Sequence, residues 1–370
     1  MKRLFIGLLL ALVVALLAGF AADRLVLARW QHSDGWIVVM GDVSDPLPRD
    51  EAGDGQWETV RRHISVQLLT GVQKGLWREI EVEHLAGSAL ELRPGKRYIL
   101  MRDIFDDGAE LYSVSDAFRM PYVVGMLVFT AAMIMACAGA AGFRALLGLL
   151  LSLAALLFGY VPALLRGVEP VPFAVLTAAF VSACTIGLVV RRRRYRLVAF
   201  LGAVGGALAA SLTGALMVWL WQLTGLAGEG GALLASSFPD LSLRGFLLAA
   251  IIIGSIGAVM DVAISVTSAL AEIGDYADSL DAGALWRSGL GVGREVLGSM
   301  INTLVLAYLG SSLPLTVLIA SSGPTWRGIL NDPAVAEELA RSLAGTVGLL
   351  LTVPITTAAC VWSIRGRRRF

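Results

Sequence analysis

Asp261 is the residue best placed to do chemistry, because it sits inside a long apolar run where an ionised carboxylate costs on the order of 2.5–3.5 kcal/mol. It must face protein or water, and a cation, a proton or a polar solute could use it there. Gly254, Ala258, Asp261, Ser265, Ser268 and Glu272 recur at steps of three or four, so they share one small, polar helical face. Ile251, Val259, Val262 and Ile264 supply the apolar surface around it. Glu295, Ser299 and Asn302 repeat the spacing in the next apolar run. Counted from the inner ends of their spans at 1.5 Å per residue, Asp261 lies about 13 Å deep and Asn302 about 9 Å deep. The expected substrate- or ion-binding cluster is therefore Asp261, Ser265, Ser299 and Asn302, with Glu295 beside it. Hydrogen bonding between helices is the alternative use of the same residues.

Other chemistries find little support. Cys137, Cys184 and Cys360 lie inside apolar runs, where a thiol behaves as a small hydrophobe. His32, His63 and His84 share no metal-ligand spacing, and no metal or other cofactor is expected. Nucleophile elbow, phosphate loop, HExxH and paired-cysteine motifs are all missing, so an enzyme is the weakest class. The net charge of +1 offers no basic field for nucleic acid.

The elements that must position these residues are membrane spans. The chain is 56% hydrophobic and 16% charged, with a mean hydropathy of +0.73, and a surplus of that size has to face lipid. Apolar runs of about 20 residues predict eight transmembrane helices, at 4–22, 122–141, 145–165, 171–190, 197–221, 246–270, 296–320 and 343–364. Gly159 and Pro162 weaken the third. Lys2 and Arg3, the run Arg191–Arg194 with Arg196, and Arg365 with Arg367–Arg369 flank spans one, four and eight. Eight spans put all three basic clusters on one side, which predicts a bacterial cytoplasmic (inner) membrane protein with both termini cytoplasmic. The first segment resembles a signal peptide, but its apolar run exceeds the usual core of about 7–15 residues, which favours an uncleaved anchor.

The predicted organisation is an anchor at 1–22, an extracytoplasmic domain at 23–120 and a seven-helix membrane domain at 121–370. Short alternating runs at 36–40, 64–69, 77–82 and 97–101 make the outer domain β-rich, a small sandwich or an OB-like barrel. Pro94-Gly95, Asp107-Gly108, Gly71 and Gly75 punctuate it, and 50–55 reads as a polar loop. Within the membrane domain, Gly202, Gly206, Ala209 and Thr213 form a small-residue packing face. Pro314 and Pro354 are possible helix breaks. Asp275, Asp278 and Asp281 read as a solvated acidic face on an inner loop, and Asp332-Pro333 as the start of the last helix.

Three stretches, 254–270 (GSIGAVMDVAISVTSAL), 288–315 (SGLGVGREVLGSMINTLVLAYLGSSLPL) and 337–357 (EELARSLAGTVGLLLTVPITT), resemble the YibE/F family of bacterial membrane proteins. The N-terminal anchor followed by a β-rich domain resembles the longer, YibE-like members in layout. The resemblance implies aspartate as the usual residue where this chain has Glu295, whose arm is longer by about 1.5 Å. It implies a multi-pass membrane protein in contact with the lipid bilayer and brings no substrate, cofactor or reaction. Two functions remain in view. One is a permease or secondary transporter for a small ion or polar solute; the other is a scaffold or sensor whose outer domain binds an envelope or membrane protein partner.

Overall fold

Alternation builds the sheet. Val38 and Met40, Ile64, Val66 and Leu68, Ile80 and Val82, and Tyr98 and Leu100 are buried at every second position, whereas Glu79 and Glu81 are exposed. These residues lie on β1 (Gly35–Val43), β2 (Thr59–Leu68), β3 (Trp77–Leu85) and β4 (Arg97–Ile104), and β5 (Glu110–Ala117) completes the set. The strands close into a barrel in the order β1-β2-β3-β5-β4. β3 and β5 run parallel, and the other neighbours are antiparallel. Closure removes the free edges that a five-stranded open sheet would expose. The β-rich expectation is met: the anticipated runs fall on β1–β4, with Leu69 just past the end of β2, and β5 is an additional strand outside those runs.

The computed structural model describes residues 2–29, 35–43, 59–70, 74–85, 92–104, 110–227, 230–276, 281–321, 323 and 325–367. His32, Gly71, the 50–55 loop, Asp107-Gly108 and Asp278 lie outside these residues, as do the side chains of His84 and Asp275. His63 is exposed on β2, opposite Glu81 of β3.

The chain divides into two compact units, Met1–Gly142 and Phe143–Phe370. The first holds the barrel, helix α1 (Lys2–Arg29) and the start of α2 (Met120–Ala154). α2 is interrupted at Gly139, whose φ of 54° and ψ of −132° are closed to most side chains. A π-turn (Ala155–Tyr160) and α3 (Val161–Leu165) continue it, so Gly159 and Pro162 loosen the helix without ending it. The second unit adds α4 (Pro170–Val189), α5 (Arg193–Leu220), α6 (Gly231–Ser237), α7 (Leu243–Tyr276), α8 (Ala282–Ser311), α9 (Leu313–Ser321), α10 (Trp326–Asn331) and α11 (Pro333–Arg367).

Among the described residues, six segments are long and apolar enough to cross a membrane: Met120–Leu165, Pro170–Val189, Arg193–Leu220, Leu243–Gly274, Ala282–Ser311 and Pro333–Ile364. The difference from the expected eight has two sources. α1 is not among the six, and the expected second and third spans fall in the single 46-residue segment. The expected span at 296–320 is also displaced. α8 begins at Ala282, capped by the Asp281 carboxylate accepting from the Gly283 N–H at 3.3 Å, and ends before Leu313-Pro314. Asp281 is thus an N-cap rather than part of an acidic face. α11 runs straight through Pro354.

Packing in the second unit centres on α5, α7 and α11, and its tightest contacts use glycine. A Cβ at Gly206 would stand 1.9 Å from Thr352 Oγ1 and 2.7 Å from Val259 Cγ1; one at Gly202 would stand 2.0 Å from Thr356 Oγ1. The small-residue face of α5 continues through Ala210 and Gly214, which are buried, rather than through Ala209 and Thr213. At one end of this bundle the Arg194 guanidinium donates to the Ser363 carbonyl at 3.3 Å, joining the first turn of α5 to the end of α11.

Candidate functional site

α7 has two unlike faces. Ile251, Ser255, Val259, Val262, Val266 and Leu270 are buried against the bundle, whereas Gly254, Gly257, Asp261 and Ser268 are exposed. The polar stripe anticipated on this helix is therefore a single face, turned away from the core. Asp261 and Ser265 open onto a cavity of about 660 Å³, walled by α2, α4, α7 and Met300 of α8. Its lining is largely apolar, with Leu149, Val181, Ile256 and Ile264 among the side chains.

Three hydroxyls that the sequence did not single out line the same cavity: Ser152, Thr177 and Thr185. Ser152 donates to the Gly148 carbonyl and Thr177 to the Phe173 carbonyl, each at 2.8 Å and one turn back on its own helix. Their protons are thereby occupied, and their lone pairs remain as acceptors. Thr185 Oγ1 is buried without a hydrogen-bond partner among the described residues. Hydroxyls in apolar helices commonly back-bond in this way, so nothing in their spacing marked them out.

The α8 half of the expected cluster is at the right depth but on the wrong side. α7 and α8 run antiparallel, since the space beside Gly254 is filled by Tyr308 Oη and that beside Gly289 by Leu270 and Thr357. This register sets Asp261 level with Ser299 and Met300. Met300 lines the cavity, and Asn302 lies about 160° round the helix from it at 3.6 residues per turn. Glu295, Ser299 and Asn302 are all exposed on the outer surface of α8, away from the buried Leu285, Gly289, Gly293 and Leu297. Ser299 donates to the Val296 carbonyl at 3.0 Å. The structure thus brings Asp261 and Ser265 together and does not bring Glu295, Ser299 or Asn302 into their cavity.

A second carboxylate is better satisfied. Glu337, near the start of α11, is 1% exposed, and its Oε1 accepts from the N–H of Gly225 at 2.8 Å and of Ala227 at 3.4 Å. Asp332 caps the helix by accepting from Ala334 and Val335, as Asp332-Pro333 predicted. Glu337 pins the segment after α5 to α11, a structural role that its place in a polar run of sequence concealed.

Among the described residues no group of three His, Cys, Asp or Glu side chains gathers as a metal site would require. The sequence profile of the YibE/F-like protein family matches residues 126–366, which covers both α7 and α8. Neither the curated proteins nor the solved structures give a match to this chain.

Proposed function

The chain belongs to the YibE/F-like protein family of multi-pass membrane proteins, and from that premise we propose that it is a permease or secondary transporter of the bacterial cytoplasmic membrane. The observation carrying the proposal is the Asp261 carboxylate opening with Ser265 onto a cavity of about 660 Å³. A carboxylate on a largely apolar cavity whose other polar lining groups are hydroxyls favours a small cation or the cationic part of a polar solute over an anion. Asp261 would be the coupling or substrate carboxylate, with Ser265, Ser152, Thr177 and Thr185 as neutral oxygens. No catalytic step is assigned to these groups.

In this reading the membrane is crossed eight times. The Met120–Leu165 segment would be about 69 Å long at 1.5 Å per residue, over twice the ~30 Å hydrocarbon core, and supplies two passes divided near Gly139. α1 supplies another, and both termini are cytoplasmic with the barrel outside. The Arg194–Ser363 contact supports this orientation, because it gathers the basic α4–α5 turn and the end of α11 at one end of the bundle.

The test is the ion dependence of thermal stability in detergent, at fixed ionic strength, for the wild type and Asp261→Asn with Na⁺, K⁺, Mg²⁺ and Ca²⁺. A cation that binds only the folded state adds about 2.7 kcal/mol at a hundred times its Kd. One cation is expected to stabilise the wild type and not the variant. If none does and the variant is at least as stable, the cation site is wrong.

The exposed polar face of α8 favours a second reading, a scaffold or sensor that engages another membrane or envelope protein. That reading makes deletion of 23–120 the disabling change and leaves Asp261→Asn with an effect on stability alone.

A further inference from the structure

The first unit holds a larger cleft than the one at Asp261. It measures about 1490 Å³ and is bounded by α1, the first turns of α2 and the β4–β5 side of the barrel. One part of its lining is apolar and exposed, with Leu16 and Phe20 from α1 at 67% and 60% and Met126 from α2 at 66%. The other part is cationic: Arg93, Lys96, Arg97 and Arg119 line it, with Asp23 the one carboxylate among the described lining residues.

The two parts are held in a fixed relation. α1 and α2 touch at glycines, since a Cβ on Gly19 would be 2.7 Å from the Pro121 carbonyl oxygen and one on Gly125 3.3 Å from that of Ala15. Arg97 on β4 forms an ion pair with Asp23 of α1, and Arg119 pairs with Asp116. Arg93 and Lys96 stand at the two ends of the Pro94-Gly95 turn, closed by the Lys96 N–H donating to the Arg93 carbonyl at 3.3 Å. Gly95 has a φ of +75°, as the third residue of a type II turn requires. That turn keeps the Cα atoms of Arg93 and Lys96 within about 7 Å of each other. It is itself tied to β1 by the Gly95 N–H donating to the Met40 carbonyl at 2.7 Å.

We propose that this cleft binds an anionic glycerophospholipid of the surrounding bilayer, with its acyl chains against Leu16, Phe20 and Met126 and its phosphate at Arg93 and Lys96. Charge and shape both select this occupant. A free phosphate would satisfy the cations and leave the apolar wall wet, while the cleft exceeds the ~300–1,000 Å³ of ordinary small-molecule sites. A purely apolar partner helix would bring no anionic group to the Arg93–Lys96 turn. The position fits as well, because α2 begins at Met120 only shortly after β5 ends at Ala117, which sets Arg119 at the point where barrel gives way to span. Basic side chains at such a boundary are drawn to anionic headgroups. If the barrel is extracytoplasmic, they also lie on the side where the sorting bias works against them, so a specific ligand accounts for a cluster that topology does not.

Native mass spectrometry of the full chain, released from detergent after incubation with equal amounts of phosphatidylglycerol and phosphatidylethanolamine, tests the assignment. The expected result is a one-to-one adduct that favours the anionic lipid and is not displaced by inorganic phosphate. Arg93→Gln/Lys96→Gln is expected to weaken that preference by at least about tenfold. Leu16→Trp, which fills the apolar wall without altering charge, should lower retention of both lipids. Equal retention of the two lipids by the wild type, displacement by phosphate, or full retention by both variants would each overturn the proposal.

Discussion

α7 and α8 lie side by side in one unit and solve opposite problems. The most apolar stretch of α7 has a mean hydropathy of 2.4 and is 56% buried, whereas that of α8 reaches only 1.2 and is 11% buried. A lone bundle in lipid would be expected to reverse this, with the greasier helix outside. α7 is buried because glycines on α5 and threonines on α11 allow close approach, and there backbone proximity decides the packing. α8 fully buries one narrow stripe, Leu285, Gly289, Gly293 and Leu297, while Leu290, Val296, Met300, Ile301 and Leu304 pack half-buried against the core. Glu295, Ser299 and Asn302 lie on its exposed surface.

The contrast can be broken most severely at glycine. Gly206→Val should cost about 3 kcal/mol or more, because its first added carbon meets Thr352 and Val259 on two helices at once. Gly298→Val on α8 has nothing within 4 Å and should leave the melting temperature in detergent nearly unchanged. Equal losses at the two sites would mean that α8 is as enclosed as the contact of α5 with α7 and α11.

A smaller effect is expected from polarity. Val262 is fully buried and Leu306 is 68% exposed, so Val262→Asn should lose about 1–3 kcal/mol and Leu306→Asn far less in the same denaturation assay. The finest probe is Asn302→Leu. For the isolated chain it should slightly raise stability, or leave it unaltered within the ~0.6 kcal/mol typical of an intramembrane hydrogen bond. A clear fall in association, measured by photobleaching step counts or cross-linking in bilayers, would give Asn302 a partner and favour the scaffold reading.

How much was legible follows the same division. Alternation in 36–40, 64–69, 77–82 and 97–101 identified four strands, because a half-buried strand writes its two faces directly into sequence with period two. The polar stripe of α7 was legible from Gly254, Asp261 and Ser265 for the analogous helical reason. The stripe of α8 was equally legible, yet its assignment to the Asp261 cluster failed. Periodicity reveals that Ser299 and Asn302 share a face and gives their depth, but not the direction in which the helix turns that face. Thr185 and Glu337 were hidden for a different reason, since their significance comes from partners more than a hundred residues away or from having none among the described residues.

The sequence by itself determined the membrane class, the β-rich insertion, the family and the two polar helices, because hydropathy and periodicity are properties of local chain chemistry. Only the tertiary structure decided that Asp261 and Ser265 face a cavity with hydroxyls of α2 and α4, that the α8 polar groups face outward, and that a cationic turn stands beside an apolar cleft. These depend on helix azimuth and on which distant segments fill a given space. Both are set by the packing of glycines such as Gly202 and Gly206 against side chains some 150 residues further along the chain.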